Sequence, residues 1–293
     1  MSEKLTFGED HSEGAAKAWG WVTAQTWTGW NLDVIAVDSR NKSANKSANK
    51  SVVLSASGYD SLRLSTSPTT SPSSTDHQRE LPAKCGFNEV RYLTASNDPR
   101  LVLSECPDST LLVVGARGKG LMKALHIGST TEWLMQCPNT PLLIARSSVR
   151  TEQILMCIDG STHADAAVEL LAHFPWIDST NISVLSVIEA DKDVQASAEA
   201  AAQRLEATGA KVEIRIVSPD PESITTNTRA SILEVSEQLQ PDLIVMGTRG
   251  LTGLPRLRVG SVASAVAHHS GSSVLLVRDL HEDDQAGVSL EGP

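Results

Sequence analysis

The chain has 293 residues, 40% of them hydrophobic, and a formal net charge of −10. This length predicts about two domains, and the charge disfavours nonspecific binding to nucleic acid or to anionic membrane. The sequence contains no apolar run of the roughly 18 residues that a membrane span needs. The opening stretch MSEKLTFGED is acidic and lacks a signal-peptide core, so the expected location is the cytoplasm.

The first half of the chain alternates predicted strands and helices. In chain order these are a strand in LTFGEDHS, a helix in EGAAKAWGWVTAQTW, and strands in LDVIAVD and FNEVRYLTA. A short helix in DPRLVLSEC and strands in STLLVVG and TPLLIAR follow. Between the second and third strands, residues 39–80 are rich in Ser, Asn, Thr and Pro. Such a composition cannot bury enough apolar surface to fold. It predicts an insertion that replaces the second helix and leaves one face of the sheet thinly covered.

The second half follows the same plan without interruption. Its predicted elements are strands in QILMCIDGS, ISVLSVIEA, KVEIRIVS, DLIVMG and SSVLLVR, with helices in HADAAVELLAHF, DVQASAEAAAQRLEATGA, ASILEVSEQL and SVASAVAHHS between them. Near-continuous apolar runs are typical of strands buried on both faces of a parallel sheet.

This alternation predicts an α/β fold of two tandem five-stranded parallel doubly wound (Rossmann-like) domains. The expected boundaries are residues 1–149 for the first domain, with its insertion at about 39–80, and residues 150–279 for the second. Residues 280–293 are expected to form a frayed, disordered tail. The strands TPLLIAR and SSVLLVR could pair with each other inside one chain as an internal pseudo-dimer, while a homodimer of two chains stays open.

A Gly-x-x-Gly motif, followed by nine residues and then Gly-Ser, occurs twice, 132 positions apart. The repeated positions are Gly115, Gly118, Gly128 and Ser129 in the first copy, and Gly247, Gly250, Gly260 and Ser261 in the second. Glycines at fixed intervals indicate backbone with a positive φ or backbone that approaches a ligand closely.

Each motif begins at the carboxyl end of a predicted strand and runs into a predicted helix. Backbone N–H groups free of side chains, next to the first turn of a helix, form a cradle for phosphate. The Walker pattern is absent, and Lys123 stands where a dinucleotide fingerprint has its third glycine. A tight turn followed by a helix cap is the alternative interpretation of the same glycines.

With the Asp-Gly-Ser that closes the first strand of the second half, this pattern resembles the universal stress protein family, and the chain is similar to its tandem, ATP-binding members. The resemblance implies ATP, with Mg²⁺ as a companion ion, bound at the carboxyl ends of the strands. In the second half the implied site residues are Cys157, Asp159, Val187, Gly247, Thr248, Arg249, Gly250, Gly253, Gly260, Ser261, Val262 and Ala263. In the first half they are Gly8, Asp10, Val37, Gly115, Arg117, Gly118, Gly120, Gly128, Ser129 and Thr130. The first half has His11 where the second has the glycine of Asp-Gly-Ser, so the second site is expected to be the more intact one.

Other chemistry has little support in the sequence. The carboxylates Asp10 and Asp159 could serve as general bases or magnesium ligands, or could bond to nearby backbone. The histidines His163, His268 and His269 lack metal-ligand spacing. No GxSxG elbow or triad order is present, so no catalytic residue and no protein metal site is expected. Four separated cysteines indicate buried thiols in a reducing compartment, and the N-terminal tryptophans indicate a core or a docking surface.

The sequence therefore predicts an ATP-binding stress sensor or regulator with at most slow ATP hydrolysis. Two other functions stay open. One is an interaction or dimerisation module with vestigial nucleotide sites, and the other is an adenine-nucleotide enzyme of the same superfamily. The regulatory protein partner cannot be read from the sequence.

Overall fold

The structure is a computed structural model of the chain. It describes residues 3–37, 65–66, 79–95, 97–106, 108–118, 127–136, 139–188, 194–219, 227–250 and 259–279. The predicted insertion lies outside the described residues except at 65–66 and 79–80, and the predicted tail lies wholly outside them.

Strands and helices alternate through the first half. They are β1 (Lys4–Glu9), α1 (Glu13–Ala24), β2 (Asn31–Val37), β3 (Ser65–Thr66), β4 (Glu89–Ala95), α2 (Pro99–Ser104), β5 (Leu111–Gly115), α3 (Ser129–Gln136) and β6 (Leu142–Ala145). Helix α1 begins where the Ser12 side chain accepts a hydrogen bond from the N–H of Ala15, and Asp98 caps α2 in the same manner.

The second half contains the nine predicted elements in the predicted order. They are β7 (Gln153–Cys157), α4 (Thr162–Ala172), β8 (Asn181–Val187), α5 (Val194–Glu206), β9 (Lys211–Val217), α6 (Thr228–Leu239), β10 (Leu243–Gly247), α7 (Ser261–His269) and β11 (Ser273–Val277). Ser161 caps α4 and Asn227 caps α6. Each of these two helices buries one apolar face, since Ala167 and Leu171 on α4 and Ile232 and Val235 on α6 are buried.

The described strands form one mixed sheet with the order β3-β4-β2-β1-β5-β6-β11-β10-β7-β8-β9. Five strands in each half run parallel, which confirms the predicted α/β doubly wound class. The two halves meet where β6 and β11 pair antiparallel, with Leu143 opposite Leu275. The predicted pairing of these two strands inside one chain is thus confirmed.

Apolar side chains cover both faces of the sheet. One buried cluster includes Phe7, Met156 and Val245 and packs under α1, α4 and α5. The cluster on the other face includes Leu112, Cys157 and Ile244 and packs under α2, α3, α6 and α7. Burial on both faces explains why the strands read as continuous apolar runs rather than as alternating ones.

Side chains also join the two halves beside the β6–β11 pair. The Arg146 guanidinium donates to the carbonyl oxygens of Ala267 and Ser272. Burial, and secondarily the charge of Arg117, lower the pKa of Arg146 to about 10. On the neighbouring helices, His268 Nε2 lies 2.7 Å from Glu132 Oε2. These contacts bring α3 and α7, the helices that follow the two glycine motifs, against each other.

A cluster of aromatic side chains joins the halves on the face that carries α1 and α4. Its members, called the aromatic cluster below, are Trp21, Trp27, Trp30, Phe87, Phe174 and Trp176. Trp27 is fully buried at its centre, and Trp21 Nε1 donates to Thr151 Oγ1 of the second half at 3.0 Å. The N-terminal tryptophans are therefore core residues. Together with Leu81 and Phe87 they cover the face that was expected to be thin.

Within the described residues, no helix is both long and apolar enough to cross a membrane.

Candidate functional site

The strand order places a crevice at the carboxyl end of each half. The chain leaves β7 towards β8 on one side and returns to β10 on the other, so the loops after β7 and β10 diverge at a topological switch point. Asp159 follows β7 and Gly250 follows β10, and a Cβ atom built on Gly250 would collide with Asp159 Oδ2. The loops carrying these two residues, with the start of α7, are called the second cradle below.

The turn at Asp159 is held by its own side chain. Gly160 has φ +79°, and the N–H of Ser161 donates to Asp159 Oδ1 at 3.0 Å. Ser161 Oγ accepts from the N–H of Ala164 at 3.2 Å and donates to the carbonyl of Arg249 at 3.2 Å. One serine therefore caps α4 and ties the aspartate turn to the glycine loop.

Backbone hydrogen bonds close the glycine loop. The N–H of Thr248 donates to the carbonyl of Val277, and the N–H of Gly260 donates to the carbonyl of Thr248, both at 2.7 Å. Gly260 is the N-cap of α7 and no side chain caps this helix. The N–H groups of its first turn, at Ser261, Val262 and Ala263, therefore have no partner within the helix and lie at the positive end of the helix dipole.

The motif glycines serve two different purposes. Of the six that the structure describes, none has a positive φ, so that explanation of their spacing is wrong. A Cβ atom on Gly247 would lie 2.8 Å from the backbone carbonyl carbon of His163, so Gly247 allows α4 to pack against β10. Gly250, by contrast, faces the Asp159 carboxylate and leaves room for it.

The Thr248 hydroxyl is buried without a protein partner. The residue is fully buried, and its Oγ1 makes no hydrogen bond within the described part of the chain. A buried hydroxyl without a partner costs about 1–3 kcal/mol, and such groups in native proteins call for an explanation. The first half has Ala116 at this position.

The first half repeats this architecture, here called the first cradle. Its hydrogen bonds run from Ser12 N to Asp10 Oδ1 (2.9 Å), from Ser12 Oγ to Arg117 O (3.3 Å), from Ala15 N to Ser12 Oγ (3.0 Å) and from Gly128 N to Ala116 O (2.8 Å). A Cβ atom on Gly118 would lie 2.5 Å from Asp10 Oδ2. The first cradle therefore has the same backbone frame as the second, although His11 replaces Gly160.

Charge differs between the two cradles. Arg249 is buried with 8% exposure, whereas its counterpart Arg117 is exposed. Burial, followed by the charge of Asp159, raises the pKa of the Cys157 thiol to about 12, so this thiol stays protonated at neutral pH. The pKa of Asp165 on α4 is raised by burial and by the carboxylates Asp159 and Glu169.

The remaining predicted residues lie at the ends of the neighbouring strands or outside the described residues. Cys157 and Val187 end β7 and β8 and are buried, and Val37 ends β2. Gly8 packs against Leu103 and Val114 of its own half. Ser129 and Thr130 begin α3. Gly120 and Gly253 lie outside the described residues.

The remaining polar groups near the cradles are a buried histidine and the two capping serines. His163 is buried, and its Nδ1 accepts from the N–H of Asp279 at 2.7 Å. The described residues hold no cluster of three or more potential metal ligands. The hydrogen bonds from the hydroxyls of Ser12 and Ser161 to the glycine loops were not predicted from the sequence. Both halves carry a serine two residues after the aspartate, and that repetition was the available signal.

Comparisons with known proteins agree with this architecture. Residues 151–278 match the sequence model of the Universal stress protein family. A universal stress protein of Synechocystis is 25% identical over 175 residues, covering 58% of each chain. A universal stress protein of Mycolicibacterium smegmatis is 25% identical over 201 residues, covering 61% of this chain and 65% of that one. The chain thus spans about three fifths of the length of these curated relatives.

The fold is similar to that of a solved structure over nearly the whole chain. The crystal structure of a universal stress protein from Archaeoglobus fulgidus covers 95% of this chain and 99% of its own, with a TM-score of 0.63 and 20% identity. At that level of identity the likeness establishes the fold, with both halves included.

Proposed function

Through residues 151–278 this chain belongs to the universal stress protein family, and from that premise we propose that its second cradle binds ATP. The family match supports a stress-related role, and the proposed function within it is that of a nucleotide-dependent sensor or regulator. We treat residues 1–149 and 150–279 as the two units of this sensor, joined through β6 and β11.

The single observation that carries the proposal is the start of α7, which no side chain caps, beside a loop that Ser161 ties to the Asp159 turn. The N–H groups of such a first turn and the positive end of the helix dipole favour an anionic group.

The residues around the crevice suit the parts of a nucleotide. The Asp159 carboxylate can accept hydrogen bonds from ribose hydroxyls, and Cys157 and Val187 offer an apolar wall to a base. The first turn of α7 can hold phosphate oxygens. When Mg²⁺ accompanies ATP, we place it on the phosphates, and we assign binding and not turnover to the site.

Equilibrium dialysis of the purified chain against ATP tests the proposal. We expect saturable binding that inorganic phosphate does not displace at equal concentration, because the base and ribose contribute contacts that phosphate lacks. GTP is the matched comparison, since its base carries different exocyclic groups. Absence of ATP binding would overturn the proposed function.

Replacing Thr248 with valine should raise stability without weakening binding. The substitution preserves shape and removes a buried hydroxyl without a protein partner, so the free energy of unfolding without ATP should rise by about 1 kcal/mol. ATP affinity should stay within about twofold of the parent, because this hydroxyl has no surface open to the crevice. Urea denaturation and dialysis measure the two effects.

Thr131→Val is the control for that substitution. Thr131 Oγ1 donates to the carbonyl of Gly115 at 2.9 Å, so its loss should lower stability by about 1 kcal/mol. If Thr248→Val destabilised the chain to the same extent, the hydroxyl would have a partner within the protein and the argument from Thr248 would be wrong.

A further inference from the structure

The first cradle contains a residue in a costly backbone conformation. His11 has φ +58°, in the left-handed region, and its counterpart Gly160 has φ +79°. A residue with a side chain loses about 1–2 kcal/mol in this region relative to its preferred conformation, whereas glycine does not. The turn that positions Asp10 is therefore strained in the first half, and some other contact must hold it.

Glu9 provides that contact. Its carboxylate Oε1 accepts a hydrogen bond from the N–H of His11 at 2.6 Å, and His11 Nδ1 lies 3.8 Å from the same oxygen. The residue is buried with 5% exposure, and the equivalent position in the second half is the apolar Ile158 with 3% exposure. A buried carboxylate in the place of an isoleucine is unfavourable unless it is paired.

Arg79 pairs with this carboxylate from a distant part of the sequence. Its Nε donates to Glu9 Oε2 and its Nη2 lies 3.2 Å from Oε1. Next to it, the Glu80 carbonyl accepts from Trp19 Nε1 at 3.2 Å, which fixes this stretch against α1. Glu9 thus receives three N–H donors, from His11 and Arg79, and a charge-assisted pair of this kind is strong.

We propose that Glu9 and Arg79 are positioning residues that hold the first cradle in its nucleotide-binding shape, replacing the glycine that does so in the second cradle. Glu9 accepts from the His11 N–H and so holds the turn that positions Asp10, and Arg79 holds the Glu9 carboxylate in place. This inference rests on the proposed function, and it assigns the chain a second nucleotide site that depends on a contact reaching 70 positions along the sequence.

The experiment weakens the second cradle with Gly250→Ala and follows ATP binding to the first by isothermal titration calorimetry, at ATP concentrations too low to fill the weakened second site. In this background Glu9→Ile, which copies the second half, should weaken binding about tenfold, since the strain at His11 is no longer offset. Arg79→Met should weaken it similarly. Glu9→Gln keeps an acceptor for the His11 N–H and should stay within about threefold of the parent.

The deciding variant is Glu9→Ile combined with His11→Gly. Glycine adopts the left-handed turn without strain, so binding should return to within about threefold of the parent. A purely structural ion pair would not be replaced by a glycine two residues away. Failure of this rescue, or full binding by Glu9→Ile alone, would overturn the inference.

The same variants with Gly250 intact serve as the folding control, because their second cradle reports whether the chain is folded. The two proposals fail in distinguishable ways. If the parent chain binds no ATP at all, the proposed function is wrong. If it binds ATP but the Gly250→Ala chain binds none, the proposed function stands and the inference about the first cradle is wrong.

Discussion

Replacing Gly250 with alanine should weaken ATP binding to the second cradle by 10- to 100-fold, or about 1.5–3 kcal/mol. The new methyl group would collide with Asp159 Oδ2. That oxygen lies at the end of a side chain, so the carboxylate can swing away without disturbing the backbone. We therefore expect the loss in affinity to appear with little change in the free energy of unfolding.

Two other glycine variants serve as controls for Gly250→Ala, one expected to have no effect and one expected to destabilise the chain. A Cβ atom on Gly271 would meet nothing within 4 Å, so Gly271→Ala should leave both affinity and stability unchanged. A Cβ atom on Gly247 would press on the α4 backbone at His163 and Ala164, so Gly247→Ala should destabilise the whole chain. Calorimetric titration with ATP and urea denaturation separate the three cases. Unchanged affinity in Gly250→Ala would show that the aspartate and this loop take no part in binding.

The contrast between Gly247 and Gly250 shows where prediction from the sequence stops. The alternation of apolar strands and helices was enough to predict the α/β fold, and each glycine motif begins, as predicted, at the carboxyl end of a buried strand. The spacing could not reveal that one glycine accommodates a helix and another a carboxylate. That distinction depends on which atoms the fold brings opposite each glycine.

Side-chain contacts between distant positions could not be predicted, for the same physical reason. Glu9 stands in a strand where apolar residues were expected, and only the fold brings Arg79 to it. His11 was predicted to make the first site less intact than the second. The structure shows the turn retained, with the Ser12 N–H on Asp10 Oδ1 as in the second half. The Glu9 and Arg79 variants test whether that distant contact compensates for the departure at His11.

The tryptophans left a choice between a core and a docking surface, and the structure decides it. Trp27 and Trp176 lie with ring centroids 6.1 Å apart, although they are 149 positions apart in the chain. Trp30 directly precedes β2, and Trp176 lies just before β8. The aromatic cluster therefore sits at the amino ends of the strands, across the sheet from the cradles at the carboxyl ends. The residues assigned to stability therefore lie at the amino ends of the strands, and those assigned to binding lie at the carboxyl ends.

Trp27→Ala tests that separation. Trp27 is fully buried and packs against five aromatic rings of the cluster at centroid distances of 5.2–6.1 Å. Its indole N–H also donates to the carbonyl of Val22 at 2.8 Å. Truncating such a side chain should lower the free energy of unfolding by about 3–5 kcal/mol. Urea denaturation followed by far-ultraviolet circular dichroism measures the loss without depending on tryptophan fluorescence.

Trp133→Ala is the matched control, because Trp133 is 39% exposed and its described ring contact is Arg100, 5.5 Å from the ring centroid. Its removal should lower stability by less than about 1 kcal/mol. ATP affinity, measured where both variants are folded, should stay within about twofold of the parent, because neither ring reaches the second cradle. If Trp27→Ala weakened binding as strongly as Gly250→Ala does, the two edges of the sheet would be coupled, and the second cradle would depend on the packing that joins the halves.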